Sequence, residues 1–398
     1  MSDLMKRLAV AILLAFSASS VFAIDSQYSL PPAYYTRAMQ ASEMPVAERN
    51  YQKLRELLPL YQEAMQHPWP ALPDNIKLKR GSKSYNVGLL KQHLQATGDL
   101  STDDQGNVFD SQLTLAVKRF QERHGLHADG VVGKNTLAEL NVPPAVRVQQ
   151  IEVNMTRWEA LAPKLGDRFI MVNVPDYELY VYENNEKILS MKAIVGKTDH
   201  QTPELASTVT RIVFNPYWNI PDSIAKNDIA PKVIENPYYL DDMHIKIFSS
   251  EADNAYEINP DEVDWDTARY NGVPYHLRQE PGLDNALGLV KFEFYSSNDV
   301  YLHDTPAKDL FNLDVRDLSH GCVRLERPFD LVAYLMQDNS DWTNYQQEQL
   351  LADGRTVYVK VPKPIKVFIT YITAWVDEDG VVNFRDDVYG KDQMNPVP

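Results

Sequence analysis

The spacing of apolar residues divides the chain into units, and the first unit, residues 24–75, is mostly polar and helical. Within it, residues 48–65 carry apolar side chains at helical spacing, which predicts an amphipathic helix. These apolar positions are Leu54, Leu57, Leu58, Tyr61 and Met65. Three prolines between residues 68 and 73 cannot continue a helix, so we interpret this stretch as a linker.

Residues 76–141 form a second unit, for which the apolar spacing predicts a compact bundle of three short helices. The predicted helix faces are Val87, Leu90 and Leu94, then Leu113, Ala116, Val117 and Phe120, and finally Thr136, Leu137 and Leu140. A turn-rich connector at residues 129–133 separates the second helix from the third.

After a connecting helix predicted within residues 142–166, the apolar period changes to two, which is typical of β-strands. Runs rich in Val, Ile and Tyr predict strands at 169–174, 178–183, 188–195, 209–214, 290–295, 300–302, 356–361 and 367–375, with one helix at 329–336. Residues 217–283 show no such alternation, and an irregular segment of this length is usually functional. We therefore expect a multidomain α+β protein whose largest unit, residues 167–390, is rich in β-structure.

The first 23 residues have the layout of a secretory signal peptide. Lys6 and Arg7 give a basic start, residues 8–16 form a short apolar run, and residues 21–23 resemble a small-residue cleavage site. We expect cleavage after Ala23 and export, the alternative being an uncleaved membrane anchor.

The composition of the chain argues against one class of partner and indicates one reactive residue. A formal net charge of −16 argues against nucleic acid as a partner, because nucleic acid attracts basic proteins. Cysteines of exported proteins commonly occur in disulfide pairs, yet this chain has a single cysteine, Cys322. A lone thiol in such a chain indicates chemistry at sulfur.

Cys322 lies in the hexapeptide Ser-His-Gly-Cys-Val-Arg at residues 319–324. A thiol becomes a strong nucleophile only as the thiolate, so it needs a base or a cationic neighbour. His320 cannot easily turn its ring onto a thiol two residues away, whereas His303, at the end of a predicted strand, can approach from a neighbouring strand. We predict His303 as the base and His320 as a supporting or substrate-side group.

Two further residues of this segment fit acyl chemistry. Gly321 lacks a Cβ, so a substrate carbonyl can approach the backbone there, and nearby N–H groups can hold an oxyanion. Arg324 suits bidentate capture of a carboxylate. Other interpretations stay open: Cys322 as a small buried apolar residue, Arg324 in an ion pair, or a zinc site with His303 and His320, which would lack a fourth ligand. We expect neither metal nor cofactor.

Taken together, His303 and the segment 319–324 resemble the signature of the L,D-transpeptidases, which have a YkuD-like catalytic domain. Other stretches resemble the large Gram-negative members with an inserted capping subdomain: residues 147–158, 215–221, 279–282, 285–288 and 301–306. Within the helical unit, Leu94, Gln95, Gly98, Phe109, residues 116–121, Gly125, Leu126, Asp129, Gly130, Gly133 and Thr136 resemble the three-helix peptidoglycan-binding domain.

This resemblance implies that residues 217–283 cap a substrate cleft and that Cys322 forms a thioester with a peptidoglycan tetrapeptide stem. A second stem would then resolve the thioester into a 3→3 cross-link. It implies substrate contacts at Arg324, Ser319, Tyr301, Asn285 and Trp218. It further implies acylation by carbapenems, a periplasmic location with contact to the inner membrane or cell wall, and partners among cell-wall synthesis enzymes or carboxypeptidases.

Two other functions remain open at this point. Water could resolve the same thioester, which would make the protein an L,D-carboxypeptidase or an amidase acting on stems or on attached lipoprotein. A non-catalytic peptidoglycan-binding protein is the second, although the intact His303, Gly321, Cys322 and Arg324 argue against it. A papain-like protease would instead place its histidine after the cysteine.

Overall fold

The structure is a computed structural model that describes residues 44–101, 106–252 and 254–393. The predicted signal peptide and residues 24–43 of the first unit lie outside the described residues. None of the helices in the described ranges combines the length and apolar character needed to cross a membrane.

The helices and strands have the following bounds. The helices are α1 (Val46–Ala64), α2 (Tyr85–Ala96), α3 (Ser111–Arg123), α4 (Lys134–Leu140), α5 (Pro144–Leu161), α6 (Asp222–Ile224), α7 (Ala230–Glu235), α8 (Tyr239–Asp242), α9 (Trp265–Asn271), α10 (Pro328–Met336) and α11 (Asn344–Asp353). The strands are β1 (Arg168–Asn173), β2 (Glu178–Glu183), β3 (Glu186–Gly196), β4 (Leu205–Phe214), β5 (Trp218–Ile220), β6 (Ile245–Phe248), β7 (Glu257–Ile258), β8 (His276–Gln279), β9 (Val290–Glu293), β10 (Leu302–His303), β11 (Asp317–Ser319), β12 (Val323–Leu325), β13 (Val357–Thr370), β14 (Ala374–Val376) and β15 (Val382–Phe384).

The largest unit is a sheet that closes on itself. Its strands follow the order β3-β12-β10-β9-β4-β13-β1-β2, and β2 pairs back onto β3. In β1, Ile170 and Val172 point into the apolar interior, while Phe169 and Met171 point outward. This alternation is the physical origin of the two-residue period in the sequence. The predicted β-rich unit is therefore present.

Helices α1 and α5 pack together against the outer face of this barrel. Their buried side chains, including Leu54, Ile151 and Trp158, share one core with Phe169 and Phe368 of the sheet. The predicted first helix and connecting helix are both present, but neither is a free spacer, because both bury an apolar face on the barrel.

The helical unit has the three predicted helices, α2, α3 and α4, around one apolar core. Asp110 begins α3, and its side chain accepts a hydrogen bond from the Leu113 N–H at 2.8 Å. The proline-rich stretch is irregular as predicted, yet it is packed: Leu72 is buried in this core, and the Trp69 indole donates to the Leu140 carbonyl at 3.1 Å.

Residues 217–283 were predicted to be irregular, and this prediction is wrong. The segment forms its own subdomain, here called the cap, with a four-stranded sheet in the order β5-β8-β6-β7. Helices α6 to α9 cover this sheet, and α6 and α7 are joined through a π-helical turn at Ala225–Ile229. Its strands have only two to four residues, too short for a two-residue period to be visible in the sequence.

The C-terminal part of the barrel also departs from the prediction. The two strands predicted at 356–361 and near 367 are one strand, β13, whose register against β4 shifts between Lys360 and Ile365. Two prolines, Pro362 and Pro364, lie at this irregularity and produced the apparent break. Helix α11 was not predicted, although Thr343 and Gln346 form a capping box at its start.

Candidate active site

Cys322 lies in a tight turn between β11 and β12. Gly321 has a φ of 112°, which side-chain-bearing residues rarely adopt. The Ser319 hydroxyl donates to the Cys322 carbonyl at 2.6 Å and accepts from the Gly321 N–H at 3.1 Å. Thr202 donates to the Gly321 carbonyl at 2.8 Å. These bonds fix the backbone on both sides of the thiol.

Two predictions for this turn need correction. Ser319 is 2% exposed and its hydroxyl is used within the turn, so it holds the turn that carries Cys322 and its side chain does not face the solvent side of the site. The Gly321 N–H also donates to Ser319, so it is not a free oxyanion donor. The value of glycine at position 321 lies in its positive φ.

The thiol itself is neutral at rest. Burial raises the pKa of Cys322, and hydrogen bonds from Tyr301, with Lys291 and Arg324 nearby, only partly oppose this effect. The thiol donates to the Asp299 carbonyl, with 3.8 Å between Sγ and oxygen. Asp299 has a φ of 53°, an unusual value for a residue with a side chain, and such positions concentrate at functional sites.

His303 is positioned as a neutral base. Its Nδ1 lies 2.5 Å from the Asp304 carbonyl, which can only accept, so Nδ1 carries the proton and Nε2 is left as a proton acceptor. Burial, with a smaller effect of Arg324, lowers the pKa of His303 to about 3. Among the described residues, the bonds of Sγ go to Asp299 and Tyr301, and none joins it to His303 in this resting state.

Asp304 fixes the strand end that carries His303. Its carboxylate accepts from the Leu289 N–H at 2.9 Å and from Lys308 Nζ at 2.6 Å. Gly288 lies against this carboxylate so closely that a Cβ there would be 2.3 Å from Asp304 Oδ2. The histidine, the carbonyl that orients it and the ion pair behind it therefore form one packed group.

Tyr301 connects the thiol, the histidine and the cap. Its phenol and its N–H both bond to the Cys322 sulfur, and its ring lies 5.6 Å from that of His303. Burial raises the pKa of Tyr301 well above its ordinary value, and the nearby Trp218 indole, on cap strand β5, partly opposes this effect. Lys291 Nζ sits 4.5 Å from the ring centroid. The sequence did not single out Lys291, which only its position on β9 reveals.

Arg324 is aligned with His303, because the two residues are register partners on β12 and β10. Its Nε is buried and has no hydrogen-bond partner among the described residues. Burial lowers the pKa of the guanidinium, which the Cys322 sulfur opposes. A buried guanidinium nitrogen without a partner suits an anionic ligand.

His320 points away from the thiol toward the cap. Its Nε2 lies 3.1 Å from Asp228 Oδ2, on the π-helical turn, and its ring lies 4.9 Å from that of His200. Burial lowers the pKa of His320, and Asp228 opposes this effect. His320 therefore joins the nucleophile turn to the cap.

Asn285 does not face the site, which corrects its predicted substrate contact. It is 1% exposed, and its amide donates to the carbonyls of Pro216 at 3.1 Å and Glu280 at 2.9 Å. Its Oδ1 accepts from the Leu287 N–H at 2.8 Å. Asn285 thus ties together the two chain segments that enter and leave the cap.

The surroundings of the site include a cavity in the cap and, within the described residues, no metal cluster. A cavity of about 680 Å³ lies within the cap, lined by residues such as Asp222, Lys226 and Tyr275, away from Cys322. In the described ranges, no group of three or more His, Cys, Asp or Glu side chains is close enough to hold a metal ion.

Comparison with known proteins agrees with this geometry. Residues 167–359 match the family model described as YkuD, the L,D-transpeptidase catalytic domain, and residues 83–140 match one described as "Putative peptidoglycan binding domain". A curated relative, the "Putative L,D-transpeptidase" of Haemophilus influenzae, is 36% identical over 225 residues. That alignment covers 56% of this chain and 45% of the relative, so the chain spans less than half the length of that protein.

Solved structures of similar proteins include the L,D-transpeptidases of Stackebrandtia nassauensis and Xylanimonas cellulosilytica. The first is 13% identical with a TM-score of 0.25 and covers 75% of this chain and 97% of that chain. The second is 15% identical with a TM-score of 0.23 and covers 76% of this chain and all of that chain. TM-scores this low carry no argument about the present chain.

Residues 167–359 are thus similar to the L,D-transpeptidase catalytic domain of the YkuD family, and residues 83–140 are similar to a peptidoglycan-binding domain. Both matches fall within the predicted units 167–390 and 76–141.

Proposed function

We propose that this protein is a peptidoglycan L,D-transpeptidase that forms 3→3 cross-links through a thioester on Cys322. The observation that carries the proposal is the arrangement of a half-buried neutral thiol, a neutral His303 with a free Nε2, and an unpartnered Arg324 nitrogen around one turn. This arrangement suits nucleophilic acyl transfer with a general base.

In the first step, Sγ attacks the carbonyl carbon of the third residue of a tetrapeptide stem. The thiol proton passes to His303 Nε2, and the S–C bond forms as the carbonyl oxygen becomes negative. We assign that oxyanion to the Cys322 N–H, because the Gly321 N–H is engaged by Ser319. His303 then protonates the leaving nitrogen, the C–N bond breaks, and the terminal D-alanine departs.

In the second step, the side-chain amine of another stem attacks the thioester carbon. The N–C bond forms, the S–C bond breaks, and the amine's proton returns to the sulfur through His303. A thioester is opened readily by an amine if water is excluded, and the cap above the turn supplies that exclusion. Arg324 would hold a stem carboxylate, since its buried Nε has no partner within the described ranges.

Carbapenems should inhibit the protein by the same first step. The strained lactam carbonyl replaces the stem carbonyl, and the opened lactam nitrogen stays attached, so the adduct on Cys322 cannot release a leaving group. We expect stoichiometric loss of reactive thiol.

We place this activity in the periplasm, with residues 83–140 holding the enzyme against peptidoglycan. Enzymes that supply tetrapeptide donors, such as carboxypeptidases and other cell-wall synthesis proteins, would work alongside it. The predicted signal peptide supports the same location.

Incubation with disaccharide tetrapeptides, followed by mass spectrometry of the products, tests the proposal. We expect 3→3 dimers with the wild-type protein and none with Cys322→Ala. Tripeptide monomers without dimers would instead show an L,D-carboxypeptidase. If the tetrapeptides stay unchanged under reducing conditions, the result would contradict a tetrapeptide donor. The remaining candidate functions would then be an amidase or a non-catalytic binding protein.

A further inference from the structure

The cap touches the catalytic turn at two separate points. On cap strand β5, the Trp218 indole approaches the Tyr301 phenol, which in turn lies beside the Cys322 sulfur. On the π-helical turn, Asp228 reaches His320, the residue before Gly321. Both contacts end on groups beside Cys322. The position of the cap therefore determines how far the cap covers the turn that carries Cys322.

The Asp228 contact joins an acidic group of the cap to a histidine of the barrel. Asp228 Oδ2 is shielded from solvent and lies 3.1 Å from His320 Nε2, a close contact without hydrogen-bond geometry. On the barrel side, His320 also faces Lys197, His200 and Arg324, so the acidic group of the cap is set against a basic surface. Within the described ranges, His320 is the one side chain that pairs with the Asp228 carboxylate.

The local backbone supports a specific role for Asp228. A π-helical turn contains one residue more than an α-helical turn, and such insertions occur frequently at functional sites. Here the turn spans Ala225–Ile229, with Ala225 and Ile229 buried in the cap core and Asp228 projecting to His320. The contact is therefore built on a rigid element and not on a loop.

We propose that Asp228 is a specificity-determining residue that decides whether an amine or water resolves the thioester, an inference that rests on the proposed function. By holding His320, Asp228 keeps the cap closed while Cys322 is acylated, and the closed cap admits the positioned acceptor amine but little bulk water. In both outcomes the S–C bond breaks and the thiolate takes up a proton. The new bond is N–C for the amine and O–C for water.

Asp228→Asn tests this proposal because it removes the charge and keeps the shape. We expect the ratio of 3→3 dimer to tripeptide to fall about fivefold or more, while the rate of Cys322 acylation by a carbapenem stays within about twofold. Asp228→Glu, which retains the carboxylate, should recover part of the ratio. Asp222→Asn, on the same cap helix segment but exposed, serves as the matched control and should change neither quantity.

Three outcomes separate the possibilities. An unchanged product ratio in Asp228→Asn would overturn the proposal. So would equal losses of acylation and cross-linking, since these would show a structural role for Asp228. If the wild-type protein makes neither dimer nor tripeptide, the proposed function itself fails, and this result is distinct from both.

Discussion

At the scale of single residues, the proposed catalytic pair, Cys322 and His303, is uncharged at rest. Burial raises the pKa of the Cys322 thiol and lowers that of the His303 ring to about 3, so neither group titrates near neutrality. This differs from cysteine enzymes in which a thiolate and an imidazolium form a standing ion pair. The proton must therefore move during attack, when the substrate brings Sγ and Nε2 together.

The pH dependence of acylation follows from the raised pKa of Cys322 and the lowered pKa of His303. His303 loses its function as a base only when protonated, which requires a pH near 3, and Cys322 ionises by itself only above its ordinary range. We expect the second-order rate constant for carbapenem acylation to stay level between about pH 5 and pH 8 and to rise at higher pH. Absorbance of the carbapenem measures this rate.

A bell-shaped or sigmoidal profile with a midpoint near 6.5 would contradict the neutral pair. His303→Gln should lower the plateau about 100-fold and leave only the alkaline rise, since general-base catalysis typically contributes that much. His320→Gln is the matched histidine control, and we expect its profile to keep the wild-type shape.

The sequence singled out Cys322, His303 and Arg324 because their chemistry is rare in such a context, and the structure places His303 and Arg324 as register partners beside the turn of Cys322. Ser319 and Asn285 were expected to bind substrate, but burial and internal hydrogen bonds occupy both, and a sequence gives no direct measure of either. Lys291 and Asp299 became visible only once the strands were in place.

At the scale of elements, the end of β10 is held by a packed contact with the loop before β9. Gly288 has a φ of 60°, and a Cβ there would meet Asp304 Oδ2 at 2.3 Å. Asp304 is bonded to Leu289 and Lys308, so it has little freedom to move away. The carbonyl of Asp304 orients His303, so a change at this contact would also displace the proposed base.

Gly288→Ala should therefore affect both stability and catalysis. We expect a loss of about 1–3 kcal/mol in the free energy of unfolding from overpacking. We also expect acylation to slow on the order of tenfold to 100-fold from displacement of His303. Denaturant titration and carbapenem acylation measure the two effects.

Gly282→Ala is the matched control, because a Cβ at position 282 meets nothing within 4 Å and its φ is not positive. It should leave both quantities near the wild-type values. Wild-type acylation in Gly288→Ala would contradict the link from this loop to the base.

Helices and strands were predictable where they are long enough to show the repeat of apolar residues. The strands β1, β2 and β3 lie close to the predicted bounds, because alternate residues face the barrel interior and the helices outside. The cap was expected at residues 217–283 from the resemblance, but its internal strands and helices were missed because they are short. Strand β13 appeared as two because its pairing tolerates Pro362 and Pro364 at a register shift.

At the scale of the whole molecule, the helical unit is attached to the rest of the protein through a buried cluster around Arg123. The Arg123 guanidinium pairs with Asp99 at 2.6 Å, donates to the Tyr61 phenol of α1 at 3.2 Å and lies 5.7 Å from the Phe384 ring of β15. Arg385 donates to the Arg123 carbonyl at 3.1 Å. These contacts join segments far apart in the sequence, which is why the packing could not be predicted from local patterns.

Arg123→Met should be strongly destabilising, because it leaves the Asp99 carboxylate buried without its partner. We expect a loss of roughly 3–5 kcal/mol, measured by chemical unfolding. Lys53→Met removes one partner of the exposed Lys53–Glu56 pair and should cost less than about 1 kcal/mol. Similar small effects for both variants would show that the cluster does not hold the unit in place.

The central claim is that a stem peptide becomes bonded to Cys322, and intact-protein mass spectrometry after acid quenching tests it most directly. With a tetrapeptide stem, the wild-type protein should gain the mass of a tripeptide acyl group on the peptide that contains Cys322, with one D-alanine released per adduct. Cys322→Ala should gain none. An adduct on another residue, or turnover of stems by Cys322→Ala, would contradict the account.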